Sequence, residues 1–266
     1  MGDMEKPLIT GLSNPLVKQA RSLRQKKARS ESGLFLVEGI HHVGQAVEAG
    51  WEVVSLLYTP ELLTSQFAKS LITSLADKTR PVSAMVMESL TDKDNPQGII
   101  AVVRQRQFST PPILKTGVAL VSPQDPGNLG TILRTMDAVG ADALFLLDPP
   151  QETRSGVELY HPTVVRSSMG TIFWKPVIRA SFDEFIAWAR SGRYQLIGSS
   201  AHADVGYESL VPQIPWVLVL GNEQKGLSAE QLKACDVAVS LPMQGRVSSL
   251  NLAVAAGVLL YSLKKT

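Results

Sequence analysis

Between residues 117 and 242 the chain repeatedly presents short runs that are apolar at nearly every position: GVALV, ALFLLD, WVLVLG and VAVSLP. A strand with one wet face alternates apolar and polar residues. A strand that does not alternate is covered on both faces, which requires a mostly parallel sheet flanked by helices. Three of these runs, and the related run YQLIGSS, lead into polar, turn-forming stretches: QDPGN, SSAHAD, GNEQKGL and PMQGRVSSLN. Open parallel sheets bind ligands where loops leave the carboxyl ends of strands. The four loops are therefore expected to face one site.

The first hundred residues repeat the alternation on a smaller scale. GLFLVEG, EVVSLLYT and GIIAVVRQ read as strands, IHHVGQAVEAG as a helix stopped by Gly50, and the stretch from Pro60 to Thr79 as helical in period. PVSAMVM reads as a short strand and ESLTDKD as a helix. At residues 108–116, FSTPPILKT carries adjacent prolines that suppress both helix and ladder bonding. The expectation is an α/β module over residues 1–107, a linker over 108–116 and a second α/β domain over 117–266. In the second domain, Ser181 with Glu184 and Ser228 with Gln231 are spaced as capping boxes.

Composition narrows the function classes. Hydrophobic residues make up 44% of the chain and charged residues 19%, which places it among globular proteins. The start, MGDMEKPLIT, has neither the basic nor the apolar region of a secretory signal. The apolar run from Leu252 to Tyr261 is shorter than the roughly 20 residues that span a bilayer. A membrane role is not expected, and one cysteine, Cys235, suits a reducing cytoplasm as a small filler. The formal charge is only +2, yet residues 18–29 hold Lys18, Arg21, Arg24, Lys26, Lys27 and Arg29 with no acidic residue. Such a segment is either a solvated helix face or a phosphate-binding surface.

Neither G-x-G-x-x-G nor G-x-x-x-x-G-K-[ST] follows a strand, which disfavours a dinucleotide fold and a P-loop. Four histidines without a carboxylate cluster give no support to a catalytic zinc. His41 and His42 are adjacent on a helix and face different ways, while His161 and His202 lie in polar surroundings where either could touch a substrate. In NLGTILRTMDAVGA, Leu129, Ile132, Leu133, Met136 and Val139 form an apolar stripe. Asn128 falls at the expected N-cap, and Arg134 lies off the stripe, in reach of Asp137. Read alone, these are a cap and a surface pair. The knot of Gln244, Gly245, Arg246, Ser248, Ser249 and Asn251 at the mouth of the apolar last helix needs polar partners, because a buried polar group without one loses about 1–3 kcal/mol.

Three motifs in order, DPGNLGTILRTMDAVGA, LVLGNEQKGLS and LPMQGRVSSLNLAVAAGV, with VVRSSMGTIFWKPV between the first two, resemble the SpoU-type RNA 2′-O-methyltransferases of the SPOUT superfamily. They cover essentially all of the second half. NPLVKQARSL, FLVEG and PQGIIAVV resemble the RNA-substrate module that often precedes that domain. The resemblance implies a catalytic domain with a deep C-terminal trefoil knot, S-adenosyl-L-methionine as methyl donor, RNA as substrate and a homodimer. It implies donor contacts at Ser199, Leu220, Gly221, Leu241, Met243, Ser249 and Leu250. It implies a catalytic set of Asn128, Arg134, Glu223, Ser249 and Asn251, with Arg134 either accepting the proton or holding the phosphate beside the target ribose. RNA contacts are expected from the basic segment, Lys18 to Arg29, and from Arg166 and Ser168. No metal is implied.

These readings converge on methylation of a ribose 2′-hydroxyl, with large-subunit ribosomal RNA as the favoured target. Transfer RNA is the rival within the class. An RNA-binding protein retaining the fold without its chemistry is the rival outside it; a nucleotide-dependent oxidoreductase would lack its phosphate fingerprint.

Overall fold

The computed structural model describes residues 6–91, 96–109, 113–148 and 156–264. Part of the expected ESLTDKD helix and both prolines of the expected linker lie outside the described residues. The chain packs as two units, Met1–Arg106 with Tyr160–Phe173, and Gln107–Leu159 with Trp174–Thr266. Sequence reasoning assigned residues 160–173 to the second domain.

The first unit opens with α1 (Pro15–Ser22), where Pro15 sits inside the first turn and the Asn14 side chain accepts from the Leu16 N–H. α2 (Lys26–Ser32) ends at Gly33, whose φ of +65° suits a residue without Cβ. Next come β1 (Leu34–Glu38), α3 (Ile40–Glu48), β2 (Val53–Tyr58), α4 (Gln66–Ser74), β3 (Thr79–Pro81), α5 (Ala84–Glu88) and β4 (Ile99–Arg104). The sheet order is β1-β4-β2-β3, with β4 antiparallel to both neighbours and β3 parallel to β2. Two expectations need correction. The helical period over Pro60–Thr79 is interrupted because Ser65 caps α4 through the Ala68 N–H. PVSAMVM is not one strand, because Ser83 caps α5 through the Val86 N–H and turns the apolar residues Val86 and Met87 into a buried helix face. Local side-chain caps override apolar run length in both places.

The chain then forms β5 (Thr116–Val121), α6 (Pro126–Ala138) and β6 (Ala143–Asp148) of the second unit, and α7 (Pro162–Ser167) of the first. Aromatic packing explains why Tyr160–Phe173 belongs there. The Phe35 and Tyr160 rings lie 4.5 Å apart, Trp51 and Phe173 pack edge to face at 5.3 Å, and the Trp51 Nε1–H donates to the Phe173 carbonyl at 3.0 Å. Burying each such side chain contributes about 1.5–3 kcal/mol.

The second unit continues with β7 (Val177–Ser181), α8 (Phe182–Ser191), β8 (Gln195–Ser199), β9 (Val205–Gly206), β10 (Trp216–Leu220), α9 (Ala229–Lys233), β11 (Val237–Ser240) and α10 (Leu252–Leu263). Both expected capping boxes form, at Ser181 with Glu184 and at Ser228 with Gln231. All seven strands are parallel in the order β7-β6-β5-β10-β8-β11-β9, with Trp216 opposite Thr116 and Val217 opposite Leu196. β5, β6 and β10 are buried on both faces apart from Asp148 at the end of β6, as their lack of alternation requires. β10 enters between β5 and β8, so the strand order reverses at the centre of the sheet. Among the described residues no helix is long and apolar enough to cross a membrane.

Candidate active site

Strand order places the carboxyl ends of β5, β10, β8 and β11 side by side. The four polar loops that follow them line one cleft of about 910 Å³, within the ordinary range for a small-molecule site. Asp125 and Asn128 come from the first loop, Ser199 to His202 from the second, Gly221 to Leu227 from the third, and Leu241, Met243 and Ser248 to Asn251 from the fourth.

A chain of hydrogen bonds ties three of these loops together. Asn251 caps α10, its Oδ1 accepting from the Ala253 and Val254 N–H groups at 2.9 and 3.3 Å. That fixes its amide, so Nδ2 points away and donates to Asn128 Oδ1 at 2.9 Å. Asn128 is thereby oriented in turn, and its Nδ2 donates to Glu223 Oε1 at 3.2 Å. The same carboxylate accepts from the Asp125 N–H at 3.1 Å and, on Oε2, from the Gln124 N–H at 3.0 Å. Glu223 thus braces the first loop with both oxygens. Asn128 is not the N-cap expected from sequence. The helix begins earlier, at Pro126, and Asp125 Oδ1 caps it by accepting from the Asn128 N–H at 2.7 Å. Asn128 therefore sits inside the first turn, 7% exposed, with its side chain committed to the network.

The third loop closes on itself. The Asn222 side chain accepts from the Gln224 and Lys225 N–H groups, and its carbonyl accepts from the Gly226 N–H at 2.8 Å. A Cβ on Gly221 would stand 2.1 Å from the Gly226 carbonyl carbon, so only glycine permits this closure. The fourth loop is the opposite case. Residues 242–250 make no hydrogen bond, of backbone or side chain, among the described residues. Of this stretch Met243, Ser248, Ser249 and Leu250 line the cleft, which also presents Leu220 and Leu241. A ligand with a flat heteroaromatic face and several polar edges fits that combination of apolar side chains and open backbone groups. Ser249 does not cap the last helix; it lines the cleft, and Asn251 supplies the cap.

Several expected residues lie elsewhere. Arg134 projects from the exposed side of α6, outside the groups lining the cleft, and makes no hydrogen bond or ion pair among the described residues. Asp137 pairs instead with Lys175 at 3.3 Å. Arg29 cannot serve as an RNA contact: it is 1% exposed, and its Nη1 donates to the Leu23 and Arg24 carbonyls at 2.8 Å, tying α2 to the end of α1. Ser168 is equally unavailable, fully buried with its Oγ donating to the Val165 carbonyl at 2.9 Å. Lys18, Lys26 and Lys27 are exposed, Arg21 and Arg24 half-buried, and Arg166 exposed. The His41 and His42 rings approach the Met169 and Arg166 carbonyls. His161 Nδ1 accepts from the Thr163 N–H at the start of α7, and His202 lines the cleft. Among the described residues no His, Cys, Asp and Glu side chains gather into a group that could hold a metal ion. Burial, with Asp236 adding to it, pushes the Cys235 thiol up to about 12.

One residue that sequence reasoning missed is Ser122, at the end of β5. Its carbonyl accepts from Asn222 Nδ2 at 2.9 Å, but its φ is +48° and its buried Oγ has no hydrogen-bond partner among the described residues. A left-handed serine costs about 1 kcal/mol or more, and an unpaired buried hydroxyl about 1–3 kcal/mol. Ser122→Gly removes both penalties while adding unfolded-state freedom. A net gain of about 1 kcal/mol is expected in chemical denaturation; a lower midpoint with unchanged slope would mean that the hydroxyl is used in the folded protein.

Comparison with known proteins gives the family. Residues 115–261 match the SpoU rRNA methylase family, and residues 14–101 match the MRM3-like substrate binding domain. A 23S rRNA (uridine(2479)-2′-O)-methyltransferase of Streptomyces viridochromogenes is 33% identical over 90% of this chain and 85% of its own length. A 23S rRNA (guanosine(2553)-2′-O)-methyltransferase of Bacillus subtilis is 30% identical over 96% of this chain and 98% of its own. The crystal structure of an AdoMet-bound rRNA methyltransferase from Sinorhizobium meliloti superposes with a TM-score of 0.87 at 33% identity, covering 97% of each chain. The family match takes in every strand of the seven-stranded sheet and all four loops of the cleft, and on that ground the chain belongs to the SpoU rRNA methylase family.

Proposed function

We propose that the protein methylates a ribose 2′-hydroxyl of large-subunit ribosomal RNA, using S-adenosyl-L-methionine held in the cleft of the second unit. The observation that carries this reading is the chain from Asn251 through Asn128 to Glu223, which fixes three family motifs around one cleft. The two related 23S rRNA enzymes modify a uridine in one case and a guanosine in the other, which supports the RNA class and leaves the base open. When bound, the cofactor supplies an electrophilic methyl group on a sulfonium.

The chain's own residues then do the rest. Leu220, Leu241 and Leu250 would pack against the donor's flat face, while Ser199, Gly221, Met243 and Ser249 would hold its polar edges. Asn128 and Asn251 keep the mouth of the cleft in one geometry, so that acceleration comes from positioning and from charge stabilisation. Arg134 holds the phosphate beside the target ribose and stabilises the developing alkoxide. Its guanidinium, with a pKa above about 12, is better suited to that than to accepting the proton. The fourth loop is the segment that threads to make the knot implied by the family.

Arg134 lies outside the cleft lining of its own chain, and in this reading it serves the cleft of a second copy. α10 supports this: Ala253 and Ala256 are buried, while Val254, Val258 and Tyr261 form an exposed apolar stripe with the spacing of one helix face. A homodimer that covers the stripe would bring Arg134 of one protomer to the cleft of its partner. The test is complementation. Arg134→Ala and Asn128→Ala should each be inactive on a 23S rRNA transcript with tritiated donor. Mixing them after subunit exchange should restore about a quarter of the wild-type rate, because half the dimers then carry one intact site. An active Arg134→Ala protein, or a mixture that stays inactive although dimers exchange, would overturn this arrangement.

A further inference from the structure

β5 and β10 run parallel with Leu120 opposite Leu220, so Ser122 and Asn222 leave the sheet side by side, two residues beyond the last pair. Backbone pairing between the two strands stops there. In its place the Asn222 side chain carries the contact on, its Nδ2 donating to the Ser122 carbonyl at 2.9 Å. A second amide reaches the same carbonyl from the first loop, Gln124 Nε2 at 3.0 Å. One oxygen thus joins the first and third loops.

The other end of the Asn222 amide is also engaged. Its Oδ1 accepts from the Gln224 and Lys225 N–H groups at 2.9 and 3.2 Å and bends the third loop around itself. With both ends committed the side chain has one orientation, and Glu223 is the next residue in the chain. Whether the Glu223 carboxylate meets the Gln124 and Asp125 N–H groups depends on the spacing of the two loops, which the Ser122 junction sets.

Ser122 is held in a conformation that a serine does not choose, with φ at +48° and a buried Oγ that has no hydrogen-bond partner among the described residues. Its surroundings impose it. The Ser122 N–H donates to the Leu147 carbonyl at 2.9 Å, and the Pro123 carbonyl accepts from the Val157 N–H at 2.8 Å. Gly156 packs so closely that a Cβ there would stand 3.2 Å from the same Pro123 oxygen. Strain maintained by its surroundings in this way clusters where a site needs a fixed geometry.

We propose that Asn222 is a positioning residue for methyl transfer, acting through the Ser122 carbonyl to fix Glu223, and Asn128 beyond it, relative to the bound donor. The proposal rests on the reading of the protein as an RNA methyltransferase. Asn222 carries no proton in the reaction; its contribution is the placement of the groups that face the reactants.

The test uses the full-length protein, with active sites counted by donor titration. Asn222→Asp keeps an acceptor for the Gln224 and Lys225 N–H groups but has no N–H to offer Ser122. On a 23S rRNA transcript its kcat is expected to fall about tenfold, with KM and donor affinity within about twofold of wild type. Gln124→Ala trims an exposed side chain and leaves the Gln124 N–H in place, so it answers the question even if Asn222→Asp folds poorly; its kcat should fall about threefold. A double-mutant cycle separates positioning from a structural role. Because Asn222 acts through the Glu223 carboxylate, the Asn222→Asp, Glu223→Gln double variant should be no slower than Glu223→Gln alone, whereas independent roles would multiply the two losses. Amide exchange followed by NMR needs neither RNA nor donor: the Gln124 and Asp125 N–H groups should exchange about tenfold faster in Asn222→Asp and measurably faster in Gln124→Ala. Wild-type kcat in both variants, multiplied losses in the cycle, or unchanged exchange would overturn the proposal. An unaltered protein that methylates no RNA would instead overturn the reading of its activity, and the exchange comparison would still decide the role of the junction.

Discussion

Gly221→Ala is expected to lower the affinity for S-adenosylmethionine by at least about 100-fold, equivalent to about 2.7 kcal/mol. The new methyl group has nowhere to go. Its Cβ would lie 2.1 Å from the Gly226 carbonyl carbon and 2.3 Å from both the Gly226 oxygen and the Leu227 nitrogen, all of them backbone atoms. Relief requires opening the third loop and losing the bond between the Gly226 N–H and the Asn222 carbonyl. Gly245→Ala is the matched control, since a Cβ there meets nothing within 4 Å. Calorimetry with the donor would compare the two. Comparable affinities would mean that the third loop has no part in holding it.

Glu223→Gln is expected to lower kcat about 100-fold or more. Three N–H donors converge on the carboxylate, from Gln124, Asp125 and Asn128. A glutamine can turn only one oxygen toward them; its NH2 group then faces a donor, and Asn128 loses its orientation relative to Asn251. The Asn128 bond is part-buried and the two backbone bonds are exposed, so water can replace part of what is lost and only a small drop in Tm should accompany the loss of rate. The separating measurement is the pH and rate profile. A braced carboxylate predicts a Glu223→Gln profile parallel to wild type and displaced downward. Loss of an entire pH limb would instead identify Glu223 as a proton carrier, and an unchanged kcat would remove it from the machinery.

Much of the second unit is legible in its sequence because long-range and local signals agree there. Strands without alternation, loops rich in turn formers and two capping boxes all indicate the same parallel sheet, and the four loops do meet in one cleft. The site positions are harder to read because they depend on which end of a side chain is already engaged. Asn128 stands immediately before an apolar stripe, yet Pro126 starts the helix a turn earlier and leaves the asparagine inside. Arg29 shares its charge with five neighbours, and only the turn between α1 and α2 distinguishes it by offering two carbonyls to a buried guanidinium. Ser168 and Arg166 are two residues apart on one short stretch, but one points into the packing and the other out of it. The place of Tyr160–Phe173 is invisible locally, since it depends on Phe35 and Trp51 more than a hundred residues earlier.

That last feature limits how the protein can be taken apart. The backbone passes between its two units three times, after Arg106, after Leu159 and after Phe173. Cutting at residue 107, where the sequence suggests a seam, would strip Val164, Val165, Ile172 and Phe173 of the partners that keep them dry. The remnant would be a sticky fragment, not a minimal enzyme. The same holds for inheritance: a substrate module stitched in at two places cannot be traded whole between relatives by a single crossover.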